Sequence, residues 1–120
     1  MGAVRLIGAG EVPPIVLARG SWSKMLLTSE MIHGNRSSLG VSVFTPGTIS
    51  AAIAHEVEEL IYVIRGSGEV RTDEGPVRFA PEDALFVPSG TWHSVANTGN
   101  EDVEMIFTFP SSCYPPTKRR

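Results

Sequence analysis

The sequence is poor in cysteine. Cys113 is the only one among 120 residues, so no internal disulfide can form. The chain also lacks an apolar run of the ~18–20 residues that a membrane span requires. No long apolar segment of the kind that marks a signal peptide follows Arg5 at the start of the chain. From these absences we expect a protein of the reducing cytoplasm that has no membrane partner.

Clustered positive charge is missing as well. The formal net charge is −3, and basic residues are scattered until Lys118-Arg119-Arg120 at the end of the chain. Binding to a phosphate backbone needs clustered basic side chains, so we expect no nucleic-acid partner and interpret this basic end as solvated. With 42% hydrophobic and 19% charged residues the chain has the composition of a folded protein. Its length predicts a single domain over residues 1–120.

Glycine and proline are abundant, and they mark turns at intervals of 7 to 10 residues through the second half of the chain. Short strands at such spacing are typical of an antiparallel barrel or sandwich, and the intervals are too short for the crossover helices of a parallel sheet. We therefore predict an all-β fold. The predicted strands are the runs rich in Val, Ile, Phe and Thr: Val41–Thr45, Glu59–Arg65, Glu69–Thr72, Val77–Phe79, Ala84–Val87, His93–Asn97 and Val103–Phe109.

The two ends of the chain are harder to interpret. Val4–Ile7 and Ile15–Ala18 are short apolar runs that we predict as edge strands. Met25–Ile32 fits either a strand or a helix, and we favour a strand because a turn-like His33-Gly34-Asn35 follows it. From Pro110 onward proline, serine and basic residues dominate, so we expect residues 110–120 to form a loose tail.

The strand predicted over Glu59–Arg65 has two apolar faces. Glu59 shares one face with Ile61 and Val63, because side chains alternate along a strand. A carboxylate inside an apolar cavity costs several kcal/mol unless it is paired or binds a metal. The other face carries Leu60, Tyr62 and Ile64. We expect a homodimer or an N-terminal strand to cover this second row.

The histidines are His33, His55 and His93, and two of them lie near predicted strand ends. His55 precedes Glu59 by four residues, and His93 begins another predicted strand. Two imidazoles and one carboxylate at the mouth of a barrel suit one divalent metal, which we expect to be Fe, Mn, Ni or Zn. The alternatives are a histidine–carboxylate pair without a metal, and a hydrogen-bonded core histidine at His93. We interpret His33 as a turn residue.

A stretch from Gly47 to Gly66 resembles the first signature motif of the cupins. His55 occupies the place of the motif's second histidine, and Glu59 is followed by six residues and Gly66, as the motif requires. The motif's first histidine is replaced by Ile53, which five residues separate from Gly47.

A second stretch resembles the second cupin motif. Pro88, Gly90, His93 and Asn97 all match it, whereas Glu82 replaces its leading glycine. The resemblance covers residues from about 40 to 109 and implies an antiparallel double-stranded β-helix, or jelly-roll barrel. It also implies a metal site, for which this chain retains His55, Glu59 and His93.

The resemblance leaves three functions open. The first, which we favour, is a metal-dependent enzyme acting on a small molecule, of the dioxygenase, isomerase, lyase or cyclase type. The second is a cupin that binds or senses a small molecule without turnover, through a weakened metal site. The third is a structural jelly roll whose site has decayed. The sequence assigns no catalytic residue, and fold alone does not decide among these functions.

Overall fold

The computed structural model describes residues 2–120 as an almost entirely β protein. Two short 3-10 helices, Ala9–Glu11 and Ala18–Gly20, lie near the start of the chain. The strands are β1 Ile15–Val16, β2 Trp22–Leu27, β3 Ser38–Phe44, β4 Ile53–His55, β5 Glu59–Arg65, β6 Gly68–Thr72, β7 Gly75–Phe79, β8 Ala84–Val87, β9 His93–Ala96, β10 Val103–Phe109 and β11 Thr117–Arg119.

The strands form two antiparallel sheets that face each other. One sheet has the order β1-β2-β3-β10-β5-β8 and the other has the order β11-β4-β9-β6-β7. This architecture confirms the predicted all-β jelly roll. Within residues 2–120 no helix has the length and hydropathy of a membrane span. Apolar side chains from both sheets form one core: Phe44, Ile61, Val63, Val70, Phe79, Val87, Val95, Val103, Met105, Phe107 and Phe109.

Side-chain alternation along β5 follows the predicted pattern. Glu59, Ile61 and Val63 are buried between the sheets. The outer row of Leu60, Tyr62 and Ile64 is roughly half exposed, and Phe86, which lies opposite Leu60 on β8, extends it. We call these four residues the outer row.

The N-terminal predictions were partly wrong. No strand forms at Val4–Ile7, where Val4 and Leu6 are exposed and have no sheet partner. Ile15–Val16 does form an edge strand, which pairs with β2. The strand predicted over Met25–Ile32 instead spans Trp22–Leu27. It ends there because the backbone turns at Thr28, whose carbonyl accepts from the amides of Met31 and Ile32.

The prediction of a loose tail was also wrong. Strand β11 pairs with β4, which places Thr117 opposite His55 and Arg119 opposite Ile53. Pro115 just before it is fully buried. Beyond the strand, the Arg120 guanidinium donates two 2.8 Å hydrogen bonds to the Asp73 carboxylate and lies 4.5 Å from the centre of the Trp92 ring. Backbone pairing and these contacts therefore order the tail against the second sheet.

Two turns carry left-handed backbone conformations that glycine adopts most easily. Gly66 has φ +83° after β5, and a Cβ there would collide with the backbone of Asp102 and Val103. Glu82 has φ +73° in the turn before β8, so the residue that replaces the motif's glycine retains a glycine-like backbone.

Candidate metal centre

Three strand ends bring the predicted ligands together. His55 ends β4 and Glu59 begins β5, with a bend between them, while His93 begins β9 beside β4. The turn before β9 is attached to this corner because the Gly90 amide donates a 2.7 Å hydrogen bond to the His55 carbonyl. All three predicted ligand side chains are buried in the cavity between the sheets.

The donor atoms of these side chains converge on one point. Nε2 of His55 and Nε2 of His93 each lie 3.3 Å from the same oxygen of Glu59, Oε1. One ligand atom from each of the three residues lies within 4.8 Å of the others. A single ion could therefore contact all three donors after small side-chain adjustments.

The other nitrogen of each imidazole is occupied. Nδ1 of His93 lies 2.9 Å from the Thr91 carbonyl, which can only accept, so Nδ1 carries the proton. Nδ1 of His55 lies 2.7 Å from Oγ1 of Thr117, and that hydroxyl donates its own proton to the Pro115 carbonyl. The Thr117 hydroxyl therefore accepts a hydrogen bond from Nδ1 of His55. In the neutral form both rings direct an Nε2 lone pair at the convergence point, the arrangement that orients metal-binding histidines.

The electrostatics of the cluster keep the carboxylate ionised. Burial raises the pKa of Glu59, but the hydrogen bonds and charges of His55 and His93 outweigh burial and hold it below its ordinary 4.5. Burial lowers the pKa of His93, but the bonds to Glu59 and to the Thr91 carbonyl outweigh it and raise the pKa above 6.5. Without a metal, the attraction between a protonated His93 and the ionised Glu59 stabilises the cluster.

The cluster opens into a cavity of about 220 Å³ whose walls are mostly apolar. Ile53 lies on this wall, directly opposite His93 and on the same face as His55, as its position in the motif predicts. Phe109 packs edge-on against the His55 ring, with 4.8 Å between the ring centres. Polar groups are few, and Ser50, Tyr114 and Arg119 are among them.

Two further residues singled out in the sequence lie outside the cluster. His33 lies in an exposed turn away from the cavity, where its carbonyl accepts from Arg5, so its interpretation as a turn residue agrees with the structure. Asn97 is buried, and its amide group donates to the carbonyls of Phe44 and Glu101, which fixes the end of β9.

Tail residues near the cavity are what the sequence reasoning missed. Tyr114 lies edge-on to His55, with 5.5 Å between the ring centres, and Thr117 is hydrogen-bonded to His55. Arg119 lines the cavity. No pattern in the sequence points to them, because a strand of three residues is too short to show an alternation and the prolines before it resemble those of an unstructured end.

Comparison with known proteins identifies the family. A family model described as a cupin domain matches residues 40–109. The chain belongs to the cupin family. Among its relatives, the tetracenomycin polyketide synthase protein TcmJ of Streptomyces glaucescens is 30% identical over 108 residues, which are 89% of this chain and 72% of the relative. The oxalate-binding protein of Thermotoga maritima is 32% identical over 82 residues, 68% of each chain.

A solved structure supports the same architecture. The polyketide cyclase RemF from Streptomyces resistomycificus superposes with a TM-score of 0.81, over 98% of this chain and 85% of its own. At 20% identity this is a likeness of fold.

The donor set of this cupin fits a divalent metal. Two imidazole nitrogens and one carboxylate oxygen are ligands that Fe, Mn, Ni and Zn accept. The Nδ1 bonds of His55 and His93 leave each Nε2 free for coordination. Three protein ligands leave further coordination positions, and these would face the cavity.

Proposed function

We propose that this cupin holds one divalent metal, Fe, Mn, Ni or Zn, through His55, Glu59 and His93, and acts on a small molecule bound in the cavity. The observation that carries the proposal is the convergence of both Nε2 atoms on Oε1 of Glu59, with both Nδ1 atoms already bonded elsewhere. Histidines that served only as hydrogen-bonded core residues would not need both Nε2 atoms to face the same carboxylate oxygen.

Each residue then has a defined task. His55 and His93 bind through neutral Nε2, while ionised Glu59 offsets part of the metal's charge. When bound, the metal supplies Lewis-acid or redox chemistry to an oxygen of the substrate. The apolar wall that includes Ile53, Phe107 and Phe109 binds the substrate's carbon skeleton and excludes water from the site.

Among the reaction types open to such a site we favour cyclisation of an oxygen-rich, aromatic-type substrate. Phe107 and Phe109 give the cavity aromatic walls, and a relative that shares most of its length with this chain is a polyketide synthase protein. Dioxygenase, isomerase and lyase chemistry would use the same ligands and the same open positions.

The second candidate is ligand binding without turnover. Ile53 supports it, because this replacement of the first motif histidine leaves a weaker donor set, and so does the relative named as an oxalate-binding protein. The two candidates differ in turnover. The enzyme converts an oxygen-rich aromatic substrate in a metal-dependent reaction, whereas the binding protein retains it unchanged.

The metal is tested first by reconstitution. Protein incubated separately with Fe²⁺, Mn²⁺, Ni²⁺ and Zn²⁺ at pH 7.5 is desalted, and the metal content is measured by mass spectrometry. We expect one ion per chain for at least one metal, loss of most binding in Glu59→Ala and His93→Ala, and full binding in His33→Ala. No stoichiometric metal with any ion, and a melting temperature unaffected by the ions, would contradict the proposal.

We further propose that the protein is a cytoplasmic homodimer. The outer row places four apolar side chains side by side on β5 and β8, and a second copy would remove them from water. The exposed thiol of Cys113, the only cysteine in the chain, is compatible with the reducing cytoplasm.

A further inference from the structure

Arg119 is a cationic side chain at the cavity for which the metal site has no use. It lies on β11, directly opposite Ile53, and lines the same cavity as His55, Glu59 and His93. Directly opposed residues of an antiparallel pair share a face, so the register itself directs Arg119 inward.

The neighbours of Arg119 have other roles. Lys118 faces the opposite side of the strand and lines a separate groove with Trp92. Arg120 forms the ion pair with Asp73. Within residues 2–120 the guanidinium of Arg119 makes no ion pair and no hydrogen bond, although it is the one arginine or lysine on the cavity lining.

Its distance from the cluster is set by two strand spacings. Arg119, Ile53 and His93 are consecutive partners across β11, β4 and β9. Opposed Cα atoms are ~4.5–5.5 Å apart in each pair, so Arg119 starts roughly 10 Å from His93 along the sheet. The apolar side chain of Ile53 lies between them. The positive charge of Arg119 and the point where the three donor atoms converge therefore lie on opposite sides of an apolar part of the cavity wall.

The charge of the cavity lining favours an anionic ligand. With a divalent ion bound and both imidazoles neutral, Glu59 is the only negative side chain on the cavity lining. The cavity would then have a net positive charge, divided between the metal position and Arg119. A guanidinium binds a carboxylate through two parallel N–H···O bonds.

We propose that Arg119 is the second anchor of the ligand, and that the ligand's oxygens include an oxyanion group at each end of an apolar or aromatic carbon skeleton. One end occupies the metal position and the other binds the Arg119 guanidinium at the mouth of the cavity. This inference rests on the proposed function and defines the substrate class for that same site.

The test uses Zn²⁺-loaded protein and linear dicarboxylates from succinate to suberate, each compared with its monocarboxylate of equal length. Binding is measured by titration calorimetry. We expect the best-fitting diacid to bind roughly tenfold more tightly than its monoacid. Arg119→Leu should abolish the tighter binding of the diacid, and Arg119→Lys should retain part of it. Lys118→Leu should leave the difference in affinity unchanged. Added salt should reduce it, since the contact lies near solvent.

Two outcomes overturn the proposal: no diacid advantage at any length in the wild type, or an advantage that survives in Arg119→Leu. A second experiment distinguishes failure of the Arg119 proposal from failure of the metal site. In metal-free protein, hexanoate should bind more tightly than hexanamide, and Arg119→Leu should abolish that preference. If no metal binds but this preference holds, the metal proposal fails while the anchor role of Arg119 stands.

Discussion

His55 and Thr117 lie 62 residues apart in the chain and are joined by a 2.7 Å hydrogen bond between Nδ1 and Oγ1. The same hydroxyl donates to the Pro115 carbonyl, which leaves it only the acceptor role toward the imidazole. A residue of the C-terminal strand therefore determines which nitrogen of His55 faces the cavity. Strand β11 is in this sense part of the candidate metal centre.

We expect Thr117→Val to weaken metal binding by roughly 10- to 100-fold, the usual effect of losing a partner that orients a ligand histidine. Valine has nearly the same shape but cannot accept from Nδ1, so His55 can rotate or present the wrong tautomer. Thr117→Ser should retain most of the affinity. Competition with a chelator measures the change.

The control for this prediction is Thr108→Val, a threonine on β10 whose neighbours Phe107 and Phe109 point into the core. It should leave metal affinity unchanged. If Thr117→Val binds metal as tightly as the wild type, the hydroxyl does not position His55.

Much of this centre could be predicted from the sequence because its parts are local. His55 and Glu59 are four residues apart, and β5 has enough residues for its alternation to identify the buried face. The motif around His93 adds a turn that is specified by consecutive residues of the sequence. Local spacing of this kind needs no knowledge of which strands are neighbours.

The tail could not be predicted in the same way. Strand β11 has three residues, too few to show a periodicity, and the prolines before it resemble those of an unstructured end. Its conformation comes from pairing with β4 and from the Arg120–Asp73 ion pair, both of which are long-range contacts. Val4–Ile7 is the opposite case, since it has the composition of a strand and no neighbour to pair with.

Above pH 6.5 the stability of metal-free protein should fall as pH rises, whereas that of metal-loaded protein should rise. Without metal, the raised pKa of His93 means that its stabilisation is fully present below pH 6.5 and is lost as pH rises through that raised value. The lowered pKa of Glu59 means that its stabilisation is present above pH 4.5 and is lost as pH falls through the lowered value. The pair therefore contributes most between pH 4.5 and 6.5.

With metal the trend above pH 6.5 reverses, because coordination needs neutral histidines and protons compete with the ion. We expect the melting temperature of metal-loaded protein to rise with pH where that of metal-free protein falls. Calorimetry with and without a chelator measures both curves. In Glu59→Gln both slopes should flatten, and equal slopes in the wild type would contradict this account.

The outer row provides a test of assembly. Tyr62→Arg places a charge among Leu60, Ile64 and Phe86, and we expect it to convert a dimer to a monomer in gel filtration with light scattering. The matched control is Ile49→Arg, at a comparably exposed apolar residue that lies away from the outer row. A dimer that survives Tyr62→Arg would place the interface elsewhere.

Glu82 gives a prediction on stability. Its φ of +73° is in the left-handed region, which costs a residue with a Cβ roughly 1 kcal/mol relative to glycine. We expect Glu82→Gly to raise the free energy of unfolding by up to about 1 kcal/mol, less the added freedom of the unfolded chain. Urea unfolding measures it. Glu74→Gly, at a turn residue without a positive φ, should destabilise instead.

The last prediction concerns Ile53, which stands where the cupin motif has its first histidine. Its Cα is paired with that of His93, and it lies two residues before His55 on the same face, so its side chain borders both. We expect Ile53→His to add a fourth donor and to tighten metal binding by at least about tenfold. The added ligand would also fill a coordination position that the substrate needs, so turnover should fall as affinity rises.

Two controls make the Ile53 result interpretable. Ile53→Val preserves the apolar wall and should change neither property, while Ile49→His, at an exposed site, should leave metal affinity unchanged. If Ile53→His binds metal no more tightly than the wild type, residue 53 does not reach the convergence point, and the alignment of the first motif with this chain is wrong. If affinity and turnover rise together, the open position is not where substrate binds.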